Sequence, residues 1–103
     1  MWAQLITMRL KDGKDADLPE LFDQLRAVEQ PGSGLVRSLA MRDQNDPTRV
    51  YALVLFESEE KARARERDER RRQGLAAARA TMAEIFDGPP EFIDLTVVND
   101  FAP

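Results

Sequence analysis

Two strand-like runs lie in the stretch Leu35–Glu57, which reads LVRSLAMRDQNDPTRVYALVLFE. The runs Leu35–Arg42 and Arg49–Glu57 are joined by the polar segment Asp43–Thr48, and this spacing predicts a β-hairpin. The second run does not alternate between apolar and polar residues. One side carries Val50, Ala52, Val54 and Phe56, and the other carries Tyr51, Leu53 and Leu55. A strand that is apolar on both sides is expected to lie in a sheet covered on both faces.

Regular patterns precede the hairpin. Residues Trp2–Lys11 have the spacing of a β-strand. Asp17 and Glu20 have the spacing of a capping box, which predicts the start of a helix. That helix must end before Pro31, and its predicted buried stripe consists of Leu18, Leu21, Phe22, Leu25 and Val28.

A second helix and a last strand are predicted after the hairpin. Ser58 is suited to cap a helix that is first rich in Arg and Glu and later carries an apolar stripe of Leu75, Met82, Ile85 and Phe86. The run Glu91–Phe101 has the composition of a strand. The order β-α-β-β-α-β over residues 1–103 predicts one α+β domain with the ferredoxin-like fold, in which two helices cover one face of a four-stranded antiparallel sheet.

The second face of that sheet is expected to need a partner. The third and last strands are apolar on both sides, whereas two short helices cover only one face. Soluble monomers rarely expose an apolar patch of several hundred Å². We therefore predict a homodimer formed through the sheet face, since two-fold dimers are the commonest oligomers. A monomer with an exposed apolar face is the alternative.

Composition narrows the classes of function. The 103 residues include 15 basic and 19 acidic side chains, for a net charge of −4, and they include neither Cys nor His. Thiol catalysis and thiolate metal sites are excluded, and the commonest metal ligand is missing, so no metal site is predicted. The acidic balance argues against nucleic-acid binding. The absence of a long apolar run or a leader pattern predicts a cytoplasmic protein with no membrane partner.

Two motifs resemble a known family. The hairpin end Val54–Glu60 (VLFESEE) and the segment Phe86–Phe92 (FDGPPEF), together with the order of elements, resemble the antibiotic biosynthesis monooxygenases, a family of dimeric α+β barrels. The resemblance implies a dimer paired through its sheets, with a ligand pocket between sheet and helices in each subunit. It also implies oxidation of phenolic or anthrone-like compounds without a cofactor, although other members cleave haem or handle quinols.

The resemblance also implies where a pocket lies. Haem-cleaving members use an Asn, a Trp and a His, and the first two correspond to Ile6 and Phe56 here, while the His has no counterpart. Haem cleavage is therefore not expected. Residues of even number on the strands share the helix-facing side, and no catalytic residue is assigned among them. The predicted pocket consists of Trp2, Gln4, Ile6, Met8, Phe22, Val54, Phe56, Met82 and Phe86.

Two functions remain open from the sequence. One is a cofactor-independent monooxygenase, or a related enzyme, that acts on an aromatic or quinol-like compound. The other is a dimeric module that binds a small hydrophobic molecule without catalysis, which the lack of His and of an evident acid–base pair favours. The charged segment Glu57–Arg72 is expected to be a solvated helix face, with a mobile lid over the pocket as the alternative.

Overall fold

The protein is described by a computed structural model that covers residues 1–103. The sheet has four antiparallel strands in the spatial order β2-β3-β1-β4. The strands are β1 (Trp2–Arg9), β2 (Leu35–Arg42), β3 (Arg49–Phe56) and β4 (Glu91–Thr96). The helices are α1 (Leu18–Ala27), α2 (Glu59–Arg67), α3 (Glu69–Gly74) and α4 (Ala76–Ile85). This is the predicted α+β, ferredoxin-like architecture.

The strand register separates the two faces of the sheet. In β3 the side chains of Val50, Val54 and Phe56 are buried under the helices, as their even numbers predict. Residues of odd number in β1, β3 and β4, with Arg37, Leu39 and Met41 of β2, form the opposite face, which no element of the chain covers. We call this surface the open face, and its large apolar residues are Leu5, Leu39, Met41, Tyr51, Leu53, Leu55, Ile93 and Leu95.

The strands end where their partners end. The prediction extended β1 to Lys11, but β3 begins at Arg49, and Leu10 makes only an isolated bridge with Phe86. The last strand was predicted to reach Phe101, and this boundary is wrong. Thr96 pairs with Trp2, the first residue of β1, so the chain beyond it has no strand to pair with.

The start of α1 lies where it was predicted, although its capping differs. The helix begins at Leu18, directly after Asp17, but the Asp17 side chain accepts no hydrogen bond from the helix. A 3₁₀ turn over Asp15–Asp17 leads into the helix, and Pro19 occupies the first turn, where its missing N–H removes no helical bond.

The predicted second helix is divided into three. Ser58 caps α2 as expected, because its Oγ accepts a hydrogen bond from the Lys61 N–H at 3.2 Å. Asp68 has an extended backbone, and its carboxylate accepts a bond from the Arg70 N–H at 3.0 Å, so it ends α2 and caps α3. A Cβ at Gly74 would lie 2.5 Å from a methyl carbon of Val28, so the glycine permits α3 to approach the end of α1.

The core under the helices consists of two clusters of buried side chains. The larger cluster lies between α1, α4 and the sheet, and its members are Leu10, Leu18, Leu21, Val50, Leu75, Ala78, Ile85 and Phe86. The smaller cluster lies under α2, and its members are Trp2, Val54, Phe56 and Ala62. None of the helices combines the length and hydropathy that a membrane-spanning segment requires.

Candidate functional site

The predicted pocket residues divide between the two core clusters. Met8, Phe22, Met82 and Phe86 belong to or pack against the larger cluster, where they fill space between α1, α4 and the sheet. Trp2, Ile6, Val54 and Phe56 belong to or pack against the smaller one. Gln4 lies between Trp2 and Ile6 on β1 and reaches a cleft beside α2. The structure thus brings the second group and Gln4 together but separates them from the first.

A cleft of about 340 Å³ opens between α2 and the β1–β4 side of the sheet. We call it the Arg63 cleft, and its lining residues are Gln4, Arg63, Glu66, Phe92 and Asp94. Its volume is at the lower end of the range for small-molecule sites in proteins. Phe92 is 57% exposed and presents an apolar surface to an incoming molecule.

The sheet register positions the polar groups of the Arg63 cleft. Gln4 and Asp94 are paired across β1 and β4, and the Gln4 Nε2 donates a hydrogen bond to Asp94 Oδ1 at 3.0 Å. The other carboxylate oxygen, Oδ2, accepts a bond from Arg63 Nη2 at 2.8 Å. The hydrogen bonds from Gln4 and Arg63 stabilise the ionised form and lower the pKa of Asp94 below its ordinary value.

Arg63 is the centre of the polar network. Its guanidinium lies 5.0 Å from the centre of the Trp2 ring, within the range of a cation–π interaction. Besides Asp94, it contacts Glu66 at 3.1 Å and Glu59 at 3.3 Å. The hydrogen bond to Asp94 and the nearby negative charges raise the pKa of Arg63, so its positive charge is permanent.

Two aromatic residues of the smaller core cluster, Trp2 and Phe56, lie under the arginines of α2. The rings of Trp2 and Phe56 lie 5.9 Å apart between their centres at a tilt of 45°. Arg65 lies two residues after Arg63 on α2, and its guanidinium is 5.3 Å from the centre of the Phe56 ring. Two nitrogens of Arg65 also donate hydrogen bonds to the carboxylate of Glu29. The helix therefore lies against the aromatic residues mainly through its arginines.

The arrangement can bind a flat molecule and donate hydrogen bonds to it. Phe92 provides aromatic surface, Gln4 provides an amide, and Arg63, which lies over the buried Trp2 ring, provides a cation. Asp94 is a weak base because its pKa is lowered. No group of three or more His, Cys, Asp or Glu side chains is placed to hold a metal ion.

Sequence reasoning found Gln4 but missed Arg63, Glu66, Phe92 and Asp94. The charged segment on α2 gives no sign of which arginine turns toward the sheet. Asp94 carried a usable signal, since it is a carboxylate between the apolar residues Ile93 and Leu95 and shares the side of Phe92.

No protein-family profile matches the chain, and no curated protein matches it in sequence. Solved structures do match it. A variant of SnoaB, a cofactor-independent oxygenase from Streptomyces nogalater, is 15% identical with a TM-score of 0.73, and the match covers 99% of this chain and 97% of that one. A structure from Caulobacter crescentus, provisionally assigned as an antibiotic biosynthesis monooxygenase, is 19% identical with a TM-score of 0.75, over 95% and 90% of the two chains.

The chain has the antibiotic biosynthesis monooxygenase fold. The same fold is found in a variant of MhuD that holds two manganese protoporphyrin IX groups per active site, with 16% identity, a TM-score of 0.80 and full coverage of both chains. The resemblance drawn from Val54–Glu60 and Phe86–Phe92 is therefore confirmed at the level of the fold. At these identities the likeness establishes the architecture, and the activity has to be argued from the cleft.

Proposed function

We propose that the chain binds a planar aromatic or quinol-like compound in the Arg63 cleft and oxidises it with molecular oxygen, without a cofactor. The observation that carries this proposal is the joining of Gln4, Asp94 and Arg63 into one hydrogen-bonded network directly beside the Trp2 ring. A few convergent polar groups are what fixes the orientation of a small molecule in a protein site, and here they lie beside the exposed ring of Phe92.

In this proposal the substrate supplies the electrons. An anthrone and one O₂ give the anthraquinone and water, so the protein need only orient the ring and favour its deprotonated form. Phe92 packs against the ring, and Gln4 hydrogen-bonds its oxygen. Arg63 stabilises the negative oxygen that forms when the substrate loses a proton, since its charge is permanent and its nitrogens face the cleft.

Binding without catalysis is a second candidate, and a specific observation favours it. Glu59, Glu66 and Asp94 surround the single guanidinium of Arg63, and this excess of carboxylates opposes deprotonation of a bound phenol. The low pKa of Asp94 also makes it a poor proton acceptor.

Oxygen uptake by the metal-free protein with anthrone at pH 7 separates the two candidates. Turnover is expected for the native chain, with a loss of about tenfold or more in Gln4→Ala because the substrate oxygen loses its amide partner. Gln44→Ala, in the exposed loop after β2, is the matched control and should keep full activity. Tight binding without oxygen uptake would support the second candidate, and the absence of both would contradict the proposal.

We also propose that two copies pair through the open face. The accessible surface of the isolated chain is 7005 Å². A monomer of 11.7 kDa ordinarily exposes about 5,900 Å². The difference, about 1,100 Å², is of the order of one partner's share of a standard interface, about 800 Å². On the open face, Ile93 is 48% exposed and Leu95 39% exposed.

Leu53→Lys tests the dimer. Leu53 pairs with Leu5 on one side and Leu39 on the other, so it lies in the middle of the open face. A lysine there would be buried without a partner, and we expect sedimentation at micromolar concentration to change from dimer to monomer. Ala80→Lys adds the same charge on the exposed side of α4 and should remain dimeric. A native chain that sediments as a monomer would refute the pairing.

A further inference from the structure

Negative side chains outnumber positive ones at the Arg63 cleft. Three carboxylates surround one guanidinium, with Arg63 to Asp94 at 2.8 Å, to Glu66 at 3.1 Å and to Glu59 at 3.3 Å. Arg63 is the only basic side chain among the lining residues. A molecule in the cleft therefore lies in a net negative potential.

Arg63 offsets this potential only in part for an anionic ligand. All three of its ion pairs use the terminal nitrogens, and its planar face lies over the Trp2 ring. Three of the five N–H groups of the guanidinium already bind carboxylates, so an incoming carboxylate would bind beside these three carboxylates. They would repel it, since like charges would share one site.

We infer that the Arg63 cleft selects ligands by charge, accepting neutral or cationic aromatic molecules and rejecting those that carry a carboxylate. The inference rests on the binding part of the proposed function and holds whether or not oxidation follows. It names Glu66, Asp94 and Glu59 as specificity-determining residues that act on the ligand through their charge.

The size of the effect is limited by solvent. The side chains of Arg63, Asp94, Glu66 and Glu59 are between 34% and 58% exposed, so water and salt screen their field. At a dielectric constant near that of water, a unit charge on the ligand about 6 Å from an excess charge changes the affinity by about threefold, so a cation and an anion differ by about tenfold. This is large enough to measure by titration and small enough to be reduced by salt.

Three naphthalenes of the same shape test the inference. They are 2-naphthol, 6-hydroxy-2-naphthoate and 6-(aminomethyl)-2-naphthol, titrated against the native chain at pH 7 by calorimetry. We expect the amine to bind about tenfold more tightly than the naphthoate, with the ratio falling as salt is added. The use of two charged probes separates the potential of the cleft from the general cost of desolvating any charge, which would weaken both alike.

Two variants locate the effect. Glu66→Gln removes one negative charge from the lining and should reduce the ratio between amine and naphthoate about threefold. Glu69→Gln makes the same change in net charge on α3, outside the lining residues, and should leave the ratio unchanged. Both side chains are more than half exposed, so neither change disturbs the core.

The outcomes distinguish this inference from the proposed function. Equal binding of the amine and the naphthoate, or the same reduction in both variants, overturns the charge selection while leaving ligand binding in place. If none of the three probes binds, the proposed function fails and the selection fails with it.

Discussion

The two ends of the helix-covered face are held together differently. At one end, α1 and α4 close over eight buried apolar side chains. At the other, α2 contributes only Ala62 to a cluster of four, and its charged side chains Lys61, Arg63 and Arg65 make ion pairs and cation–π contacts. Apolar packing fills the first end, whereas the charged helix leaves room for the Arg63 cleft. The comparison indicates that apolar packing is concentrated in one half of the fold, whereas the candidate site lies in the other.

The largest expected effect is in the larger cluster. Ile85 is 1% exposed, so Ile85→Ala leaves a cavity that its neighbours cannot fill, and we expect a loss of about 3 kcal/mol in the free energy of unfolding. Ile6→Ala is the matched change at the α2 end, where the side chain is only partly buried, and should cost less than half as much. Urea unfolding followed by Trp2 fluorescence measures both. Equal losses would mean that the two ends do not differ in packing.

A smaller effect is expected at the ion pair between α1 and α2. Glu29 binds Arg65 Nη2 at 2.7 Å, and both side chains are less than a quarter exposed. Burial raises the pKa of Glu29, but hydrogen bonds from Arg65 and Ser33 and the nearby positive charges outweigh it, so the net shift is downward. Glu29→Gln should cost about 1.5 kcal/mol at neutral pH.

The pH dependence of that pair follows from the direction of the shift. A carboxyl whose pKa is lower in the folded state stabilises the fold above its unfolded pKa, which is 4.5 here. The difference in stability between the native chain and Glu29→Gln should therefore be constant at neutral pH and shrink as the pH falls below 4.5. Glu20→Gln, on the exposed side of α1, is the control. A difference that persisted in acid would contradict an ionic contribution.

The smallest expected effect is local to α2. Ser58→Ala removes the hydrogen bond from the Lys61 N–H to the serine Oγ, and such caps contribute about 1 kcal/mol to a helix. Because α2 buries little, we expect faster amide exchange within Glu59–Arg67 and little change in α1 or α4. Ser38→Ala on the exposed side of β2 should alter neither region. Faster exchange throughout the chain would show that α2 is coupled to the larger cluster.

Much of the fold could be predicted from short-range patterns. Val50, Val54 and Phe56 in β3 are apolar and buried, and Ser58 caps a helix, because each feature depends on residues within a few positions. The break at Asp68 was missed because the surrounding Arg and Glu favour helix, although Asp itself is a good capping residue. The end of β4 was missed because it is set by the start of β1, far away in the sequence.

The site was less predictable for a related reason. Gln4 could be identified, since it is a polar residue on the helix-facing side of an apolar strand. Its partners could not, because Arg63 and Asp94 meet only through the register of β4 and the rotation of α2 about its axis. Several arginines of similar sequence context lie on α2 and α3, and only the three-dimensional arrangement distinguishes Arg63 from Arg67 or Arg72.

The register shift at the beginning of β2 affects whether strands of other molecules can add to this edge of the sheet. β2 is an edge strand, and the irregularity between Leu35 and Arg37 interrupts its regular pairing. Unpaired backbone groups along an edge are a template for aggregation, and a bulge with flanking positive charges such as Arg37 and Arg42 discourages further strands from adding. The chain can thus keep one apolar face while resisting the formation of filaments through its edge.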